Sequence, residues 1–146
     1  MAKYHEVTPQ RTWMGKLEFG ADLLEQLTAF CEQNDIRLGR VEALGAVQKA
    51  RVGFYDQQAR EYDFLDMDEP LEITKLTGNI SLRDGKPMVH AHITLADSQG
   101  NAYGGHLAPG TIIFAAEFII TSYDGPAYNR EFDEPTGLQL WKIQVE

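Results

Sequence analysis

The fold of this 146-residue chain is indicated most clearly by residues 89–107, VHAHITLADSQGNAYGGHL. In the first half of this segment apolar and polar residues alternate, which is the pattern of a half-buried β-strand. Alternation places Val89 and Ile93 on one face of the strand and His90 and His92 on the other. At ~3.3 Å per residue the two histidines lie about 6.6 Å apart along the strand. Two imidazoles at that spacing can bind one metal ion.

The middle of the segment predicts a tight turn. The residues DSQGN at 97–101 are typical of a three-residue hairpin loop, in which a type I turn is followed by a left-handed glycine. Closing the hairpin between the first and last of these residues places His92 directly across from His106, with Cβ atoms roughly 5 Å apart. A two-residue turn would instead move His106 to the opposite face. Gly104 and Gly105 leave room for a ligand or for another backbone.

The sequence therefore predicts a cluster of His90, His92 and His106 on one face of a sheet. Three neutral imidazoles suit Zn²⁺ or another late first-row divalent metal. Three protein ligands with an open fourth position are typical of a catalytic zinc site rather than a structural one. The alternative is that the histidines form hydrogen bonds in a buried polar layer or at a subunit contact. Both interpretations stay open at this point.

Two glutamates interrupt apolar strands and are candidates for catalytic groups. Glu117 lies within IIFAAEFII at 112–120, and Glu72 interrupts a second apolar strand. Burying a carboxylate alone is costly, so each must face solvent, pair with a cation or have a raised pKa. We expect one of them to assist the histidines as a general acid or base, or by orienting a ligand. An ion pair at a subunit contact or at the sheet edge is the alternative.

The rest of the chain predicts one helix followed by about seven strands. Apolar residues recur on one helical face between Asp22 and Asn34, so a helix is expected over residues 22–34. The segment 61–72 holds six acidic residues and no basic one, which indicates a solvated face. This order predicts an α+β fold, with a mainly antiparallel sheet in a single domain over residues 1–146. The β-rich runs, joined by turn signals, are 41–47, 50–55, 71–82, 89–95, 102–107, 112–121 and 138–145.

Composition and charge exclude several classes of protein. With 43% hydrophobic and 24% charged residues, the chain is typical of a folded domain and not of a disordered one. Its 13 basic and 22 acidic side chains give a net charge of −9, which disfavours nucleic acid and anionic membrane surfaces as partners. The single cysteine, Cys31, cannot form an intrachain disulfide, and no signal peptide or membrane span is visible. We therefore expect a soluble protein of the cytoplasm.

Several short motifs in combination resemble a known family, the plants-and-prokaryotes-conserved (PPC) domain in its stand-alone prokaryotic form. The resemblance spans nearly the whole chain. The motifs that carry it are Gly45-Ala46-Val47, Leu71-Glu72-Ile73 leading to Leu76-Thr77-Gly78-Asn79-Ile80, Asp84-Gly85-Lys86-Pro87, His90-Ala91-His92, and Gly104-Gly105-His106-Leu107 followed by Gly110 and Glu117.

The resemblance implies an α+β fold that assembles as a homotrimer. It also implies a structural relationship to acetolactate decarboxylase, in which an HxH pair and a later histidine hold zinc. The other catalytic groups of that enzyme are not matched, so its activity is not implied. One expected function is a metal-binding homotrimer with a small-molecule ligand or substrate, and the alternative is a DNA-associated regulatory module without catalysis. The DNA-binding description of this family derives largely from plant relatives with basic AT-hooks, and no Arg-Gly-Arg-Pro element occurs in this sequence.

Overall fold

The computed structural model describes residues 1–143, and within them the chain forms one α-helix and nine β-strands. The helix, α1 (Leu23–Gln33), lies between the first and second strands. The predicted α+β fold with a mainly antiparallel sheet is confirmed. In chain order the strands are β1 (Thr8–Lys16), β2 (Gly39–Asp56), β3 (Glu61–Met67), β4 (Leu71–Arg83), β5 (Lys86–Ala96), β6 (Ala102–Leu107), β7 (Ile112–Asp124), β8 (Arg130–Asp133) and β9 (Leu138–Trp141).

The helix α1 begins and ends at residues that satisfy its free backbone groups. The carboxylate of Asp22 accepts a hydrogen bond of 3.1 Å from the backbone N–H of Glu25, which caps the first turn. Asn34 caps the last turn, so the helix predicted over residues 22–34 is confirmed. No helix within residues 1–143 is long and apolar enough to cross a membrane. The buried face of α1 is formed by residues four apart, Leu23, Leu27 and Cys31.

Strand β2 organises the sheet. The first half of its 18 residues pairs with β7 and β4, and the second half pairs with β3 and β6. The strand order β1-β7-β2-β4-β5-β6 therefore curls back until β6 meets β2 again. The sequence predicted two strands here, 41–47 and 50–55, but they form one strand. The reason is that the register shifts next to Val47 are β-bulges, which bend a strand without ending it.

The apolar core lies between α1 and one face of the curled sheet. Leu27 of the helix, Ile80 of β4 and Leu95 of β5 are fully buried there. Removing each of these side chains from water contributes about 1.5–3 kcal/mol to folding. The other face of the sheet, which we call the outer face, is therefore left to meet ligands or other proteins.

A row of directly paired residues crosses the outer face. Met14 on β1 pairs with Ile119 on β7, and Ile119 pairs with Glu42 on β2. Glu42 pairs with Thr77 on β4, and Thr77 pairs with His92 on β5. Directly opposed residues share a face, so the row links two parts of one surface. We call them the apolar end, formed by Met14, Leu44 and Ile119, and the histidine end, formed by His90, His92 and His106.

Three strands, β1, β3 and β8, were not predicted from the sequence. β1 is an edge strand with mostly exposed residues, so it lacks the alternation that marks a half-buried strand. β3 lies in the acidic segment 61–72, whose acidic side chains are exposed as expected, while its backbone pairs with β2. β8 has only four residues. The strand predicted over 138–145 forms at Leu138–Trp141, and its residues 144 and 145 lie outside the described residues.

Candidate metal centre

The turn between β5 and β6 forms as its sequence predicts. The N–H of Asp97 donates to the carbonyl oxygen of Asn101, and the N–H of Gly100 donates to the carbonyl oxygen of Asp97, both at 3.0 Å. Gly100 has a φ of +79°, the left-handed conformation that this loop requires. One carboxylate oxygen of Asp97 also accepts the N–H groups of Gln99 and Asn101, both at 2.9 Å. The predicted three-residue loop is confirmed.

This turn brings the three histidines together. Its register pairs His92 directly with His106, as predicted. The ring centroid of His90 lies 5.3 Å from that of His92 and 5.0 Å from that of His106. Each ring contributes one nitrogen to a group of three nitrogens that all lie within 4.8 Å of one another. The structure confirms the predicted cluster of three histidines on one face of the sheet.

Gly105 allows this hairpin to approach β2 closely. A β-carbon at that position would lie 2.7 Å from the carbonyl oxygen of Gly53, much closer than van der Waals contact allows. Gly53 pairs directly with His106 across the β2–β6 ladder. The glycine before His106 therefore makes room for another backbone, which is one of the two uses predicted for it.

The surroundings hold two of the histidines in the neutral form. Burial, together with the charges of Arg130, His106 and His92, lowers the pKa of His90 to about 4. Burial, followed by His92 and Arg130, also lowers the pKa of His106. A neutral imidazole keeps one ring lone pair, and metal ligation needs that lone pair. At neutral pH both side chains therefore offer a ligand nitrogen.

An unpaired atom on His106 indicates that this set of residues fits a metal ion. Its Nδ1 is buried and has no hydrogen-bond partner within residues 1–143. A buried polar atom left in that state costs about 1–3 kcal/mol, which ligation would offset. Ligand nitrogens in a tetrahedral zinc site lie about 3.3 Å apart, given zinc–nitrogen distances of 2.0–2.1 Å. The three histidine nitrogens lie within 4.8 Å of one another, so they would have to move closer together to reach that spacing.

Sequence reasoning missed a cation beside the cluster, Arg130 on β8. Its Nη2 lies 3.4 Å from Nδ1 of His90. The same guanidinium donates hydrogen bonds to the side chains of Ser81 and Asn79 on β4, at 2.9 and 2.8 Å. The β8–β9 hairpin is thereby fastened over the outer face of β4.

A sequence signal for this hairpin was present. The loop between Asp133 and Leu138 ends in a glycine, Gly137, with a φ of +76°. Glycine at the left-handed position of a short loop is the feature that identified the turn at residues 97–101. The same rule applied to residues 133–138 would have predicted β8 and β9, and with them a strand that begins at Arg130.

Strand β3 covers the cluster from another side. The ring centroid of Tyr62 lies 4.9 Å from that of His106. Burial and the neighbouring Tyr55 raise the pKa of Tyr62, against the opposing charge of Arg130. The Tyr62 hydroxyl therefore keeps its proton at neutral pH. Tyr62 and Arg130 flank the histidines from two strands that were not predicted.

The structure does not bring either candidate glutamate to the histidines. Glu117 is exposed on β7, three strands or roughly 14 Å from β5, and pairs with Leu44 of the apolar end. Glu72 is exposed on β4 and pairs with Ala96, which lies about 13 Å along β5 from His92. Both carboxylates face solvent, which is one of the three environments expected for them.

Comparison with known proteins identifies a family. The family model described as the Plants and Prokaryotes Conserved (PCC) domain, also written PPC, matches residues 4–124. That range covers the helix, the whole seven-stranded sheet and all three histidines. The hairpin of β8 and β9, which carries Arg130, lies beyond it.

Solved structures share the fold over nearly the full chain. A metal-containing protein from Archaeoglobus fulgidus is 40% identical, with a TM-score of 0.92 and coverage of 97% of this chain and 99% of that one. A plant- and prokaryote-conserved (PPC) protein from Pyrococcus horikoshii is 28% identical, with a TM-score of 0.91 and 98% coverage of both chains. A Bacteroides thetaiotaomicron protein provisionally described as DNA-binding shares the fold at 24% identity, with a TM-score of 0.84 and coverage of 94% and 97%.

Curated relatives contain a similar segment within a longer protein. The bifunctional protein GlmU of Synechococcus sp. (strain JA-3-3Ab) is 36% identical over 120 residues, which are 81% of this chain and 18% of that protein. The same protein from strain JA-2-3B'a(2-13) is 36% identical over 128 residues, 86% of this chain and 19% of the relative. The chain thus spans about a fifth of the length of the curated relatives it matches.

Proposed function

The chain belongs to the Plants and Prokaryotes Conserved (PPC) domain family, and from that premise we propose that it binds a metal ion through His90, His92 and His106. One observation carries the proposal. Three ring nitrogens lie within 4.8 Å of one another, and the cluster includes a buried nitrogen without a hydrogen-bond partner in residues 1–143. A structural polar layer would be expected to satisfy that nitrogen.

The chemistry of the donor set selects the metal. Neutral imidazoles suit zinc or another late first-row divalent ion. When bound, such an ion with three protein ligands has an open position at which it polarises a carbonyl group or lowers the pKa of water toward about 7. His92 is exposed, so a small molecule can reach the cluster from solvent. We propose a small-molecule ligand or substrate at this position.

One similarity supports the proposal. The Archaeoglobus fulgidus protein, described as metal-containing, is 40% identical to this chain over almost its whole length. We further propose the relationship to acetolactate decarboxylase that the family resemblance of the sequence implies, which would place zinc on an HxH pair and a later histidine. In this chain the HxH pair is His90 and His92, and the later histidine is His106.

The proposed functional form is a homotrimer, as the family resemblance implies. The apolar end offers a contact surface, because Met14 is 78% exposed, Leu44 57% and Ile119 37%. These side chains line an open groove of about 660 Å³. Contiguous exposed apolar surface is typical of protein–protein contacts. Such contacts would offset the repulsion among three chains that each carry a charge of −9.

Metal analysis of untagged protein tests the metal proposal. Purified wild type should contain up to one equivalent of zinc or a similar metal per chain by inductively coupled plasma mass spectrometry. After chelation and dialysis, zinc titration should restore that stoichiometry. The variant His92→Ala removes one of three ligands and should weaken zinc binding at least 100-fold, because the two remaining imidazoles cannot enclose the ion.

Two matched variants serve as controls for this titration. His5→Ala removes a histidine that lies outside the cluster, and Glu117→Gln removes the carboxylate at the apolar end. Both should bind zinc within twofold of wild type. The metal proposal fails if chelated wild type takes up no zinc, or if His92→Ala takes up as much as wild type.

A further inference from the structure

Arg130 is a half-buried cation whose hydrogen bonds go to neutral groups. Its Nε donates to Oγ of Ser81 (2.9 Å), its Nη1 to the carbonyl oxygen of Gln139 (3.0 Å) and its Nη2 to Oδ1 of Asn79 (2.8 Å). A guanidinium has five N–H donors. Two donors therefore remain, one on Nη1 and one on Nη2, and the latter lies toward His90.

No negative charge compensates this cation within the described residues. Among residues 1–143, every ion pair closer than 4.0 Å involves other side chains, and none includes Arg130. Burial, followed by the charge of another cation, Arg83, lowers the pKa of Arg130, against the opposing effect of Tyr62. Burying a charge without a partner is costly. Among residues 1–143 no carboxylate supplies this partner, which leaves the role open to a bound anion.

Metal binding at His90 would increase the need for that counter-charge. A neutral imidazole has a single ring lone pair, which is on Nδ1 when that atom accepts the N–H of Arg130. Ligation through Nδ1 would use this lone pair, and ligation through Nε2 would place the proton on Nδ1. In either case His90 stops accepting from Arg130. One guanidinium donor is then free, next to a newly bound dication.

We propose that the histidine end binds a small carboxylate together with the metal, and that Arg130 pairs with this carboxylate. The inference rests on the proposed metal site and adds the ligand class. With the Nη2 donor released from His90, one donor on Nη1 and one on Nη2 are available to the two oxygens of a carboxylate, a group that arginine binds in bidentate form. The ligand must be small, because Tyr62 covers His106 and Trp141 lies against Arg130, with 5.7 Å from Cζ to the ring centroid.

The proposal predicts that metal and carboxylate bind cooperatively. The carboxylate would neutralise positive charge that the metal adds beside Arg130, and the metal would attract the carboxylate. Cobalt(II) is the metal probe, because its visible absorption reports the ligands around it. Addition of acetate to the cobalt form should change this spectrum and should tighten cobalt binding by the same factor as cobalt tightens acetate binding. Sulfate, a tetrahedral oxyanion, should produce a weaker response at equal ionic strength.

Variants of Arg130 test its role directly. Arg130→Gln should bind cobalt at least as tightly as wild type without acetate, since a nearby positive charge is removed, but its half-saturating acetate concentration should rise at least tenfold. Arg130→Lys keeps the positive charge on the β8–β9 hairpin but loses the planar guanidinium. Its half-saturating acetate concentration should therefore lie between those of wild type and Arg130→Gln. The matched control is Arg37→Gln, an exposed arginine that lies beside Asp35 and not beside Arg130, which should stay within twofold of wild type.

The outcomes separate this inference from the metal proposal. Failure of cobalt to bind would overturn both. A cobalt spectrum that acetate does not alter, or an acetate response that is the same in Arg130→Gln and Arg130→Lys as in wild type, would overturn the carboxylate site and leave the metal site standing. An equal response to sulfate would overturn the choice of a carboxylate.

Discussion

The histidine end and the apolar end lie on the same outer face of one sheet, but they differ in what covers them. Arg130 from β8 and Tyr62 from β3 flank the histidines. Within residues 1–143 the side chains of Met14 and Leu44 stay mostly exposed. Side chains from β3 and β8 give the histidine end a half-buried polar environment, and the apolar end keeps an apolar surface.

The difference shows how one sheet face can hold two kinds of site. The cross-strand row from Met14 to His92 is continuous, so the sheet itself does not separate the ends. Burial lowers the pKa of His90, and β8 places the cation Arg130 beside it. Without such cover, exposed apolar side chains favour contact with another chain.

The largest expected effect is on assembly, through the apolar end. Leu44→Lys should dissociate the proposed trimer, because an unpaired charge buried at a contact costs about 3 kcal/mol or more. That cost raises a dissociation constant by at least ~100-fold. Light scattering should then give a mass near the 16.4 kDa of one chain instead of three times that value.

A matched variant separates a specific contact from a general loss of apolar surface. Phe54→Lys replaces another exposed apolar residue, 70% exposed and located near the edge strand β3. It should keep the mass of wild type. If Leu44→Lys also keeps that mass, the apolar end is not the contact surface and the comparison between the two ends fails.

A smaller effect should appear at the histidine end on mild acidification. The pKa of His90 is about 4 in the folded protein against 6.5 ordinarily. Below pH 6.5 the unfolded chain therefore binds the proton more readily, so stability is complete above pH 6.5 and falls as the pH drops toward 4. For metal-free protein we expect a loss of about 1–2 kcal/mol from this group, a value reduced for solvent screening because His90 is partly exposed.

Chemical denaturation at several pH values measures this effect. The variant His90→Asn should show a shallower loss of stability between pH 6.5 and 4.5 than wild type does. His5→Asn is the control, since His5 lies outside the cluster, and it should follow the wild-type curve. If wild type and His90→Asn lose stability equally with falling pH, the pKa of His90 is not lowered in the folded protein, and this prediction is wrong.

The smallest expected effect concerns binding to DNA. The chain has a net charge of −9, and the groove at the apolar end is lined by both signs of charge, Lys16 and Lys75 with Glu42 and Glu117. We expect no measurable binding to duplex DNA at about 50 mM salt, and hence no salt dependence between about 50 and 200 mM. Sub-micromolar binding in a fluorescence anisotropy titration would contradict this expectation.

The parts of the site that could be predicted depend on residues close together in sequence. Asp97, Gly100 and Asn101 define the hairpin loop through contacts within five positions. Loop length fixes the register, and the register alone places His106 opposite His92. The helix was predictable for the same reason, because Asp22 caps a turn that begins at the next residue.

The parts that could not be predicted depend on contacts between distant segments. Arg130 and His90 are 40 positions apart in the sequence. No periodic pattern in the sequence predicts that these two residues are in contact. The sequence predicted Glu117 as a partner for the histidines because this carboxylate interrupts an apolar strand. The strand order β7-β2-β4-β5 separates them, and that order follows from the pairing of β2 on both of its edges.

The three-histidine hairpin, the capped helix and the class of fold could all be predicted from local sequence, since each follows from backbone preferences and alternation over a few residues. The surroundings of the histidines depend on contacts between distant segments. Tyr62 and Arg130 reach the cluster because β2 curls the sheet and because partly buried hydrogen bonds fasten the β8–β9 hairpin to β4. Those contacts are selected by the packing of the whole chain, so local sequence carries no record of them.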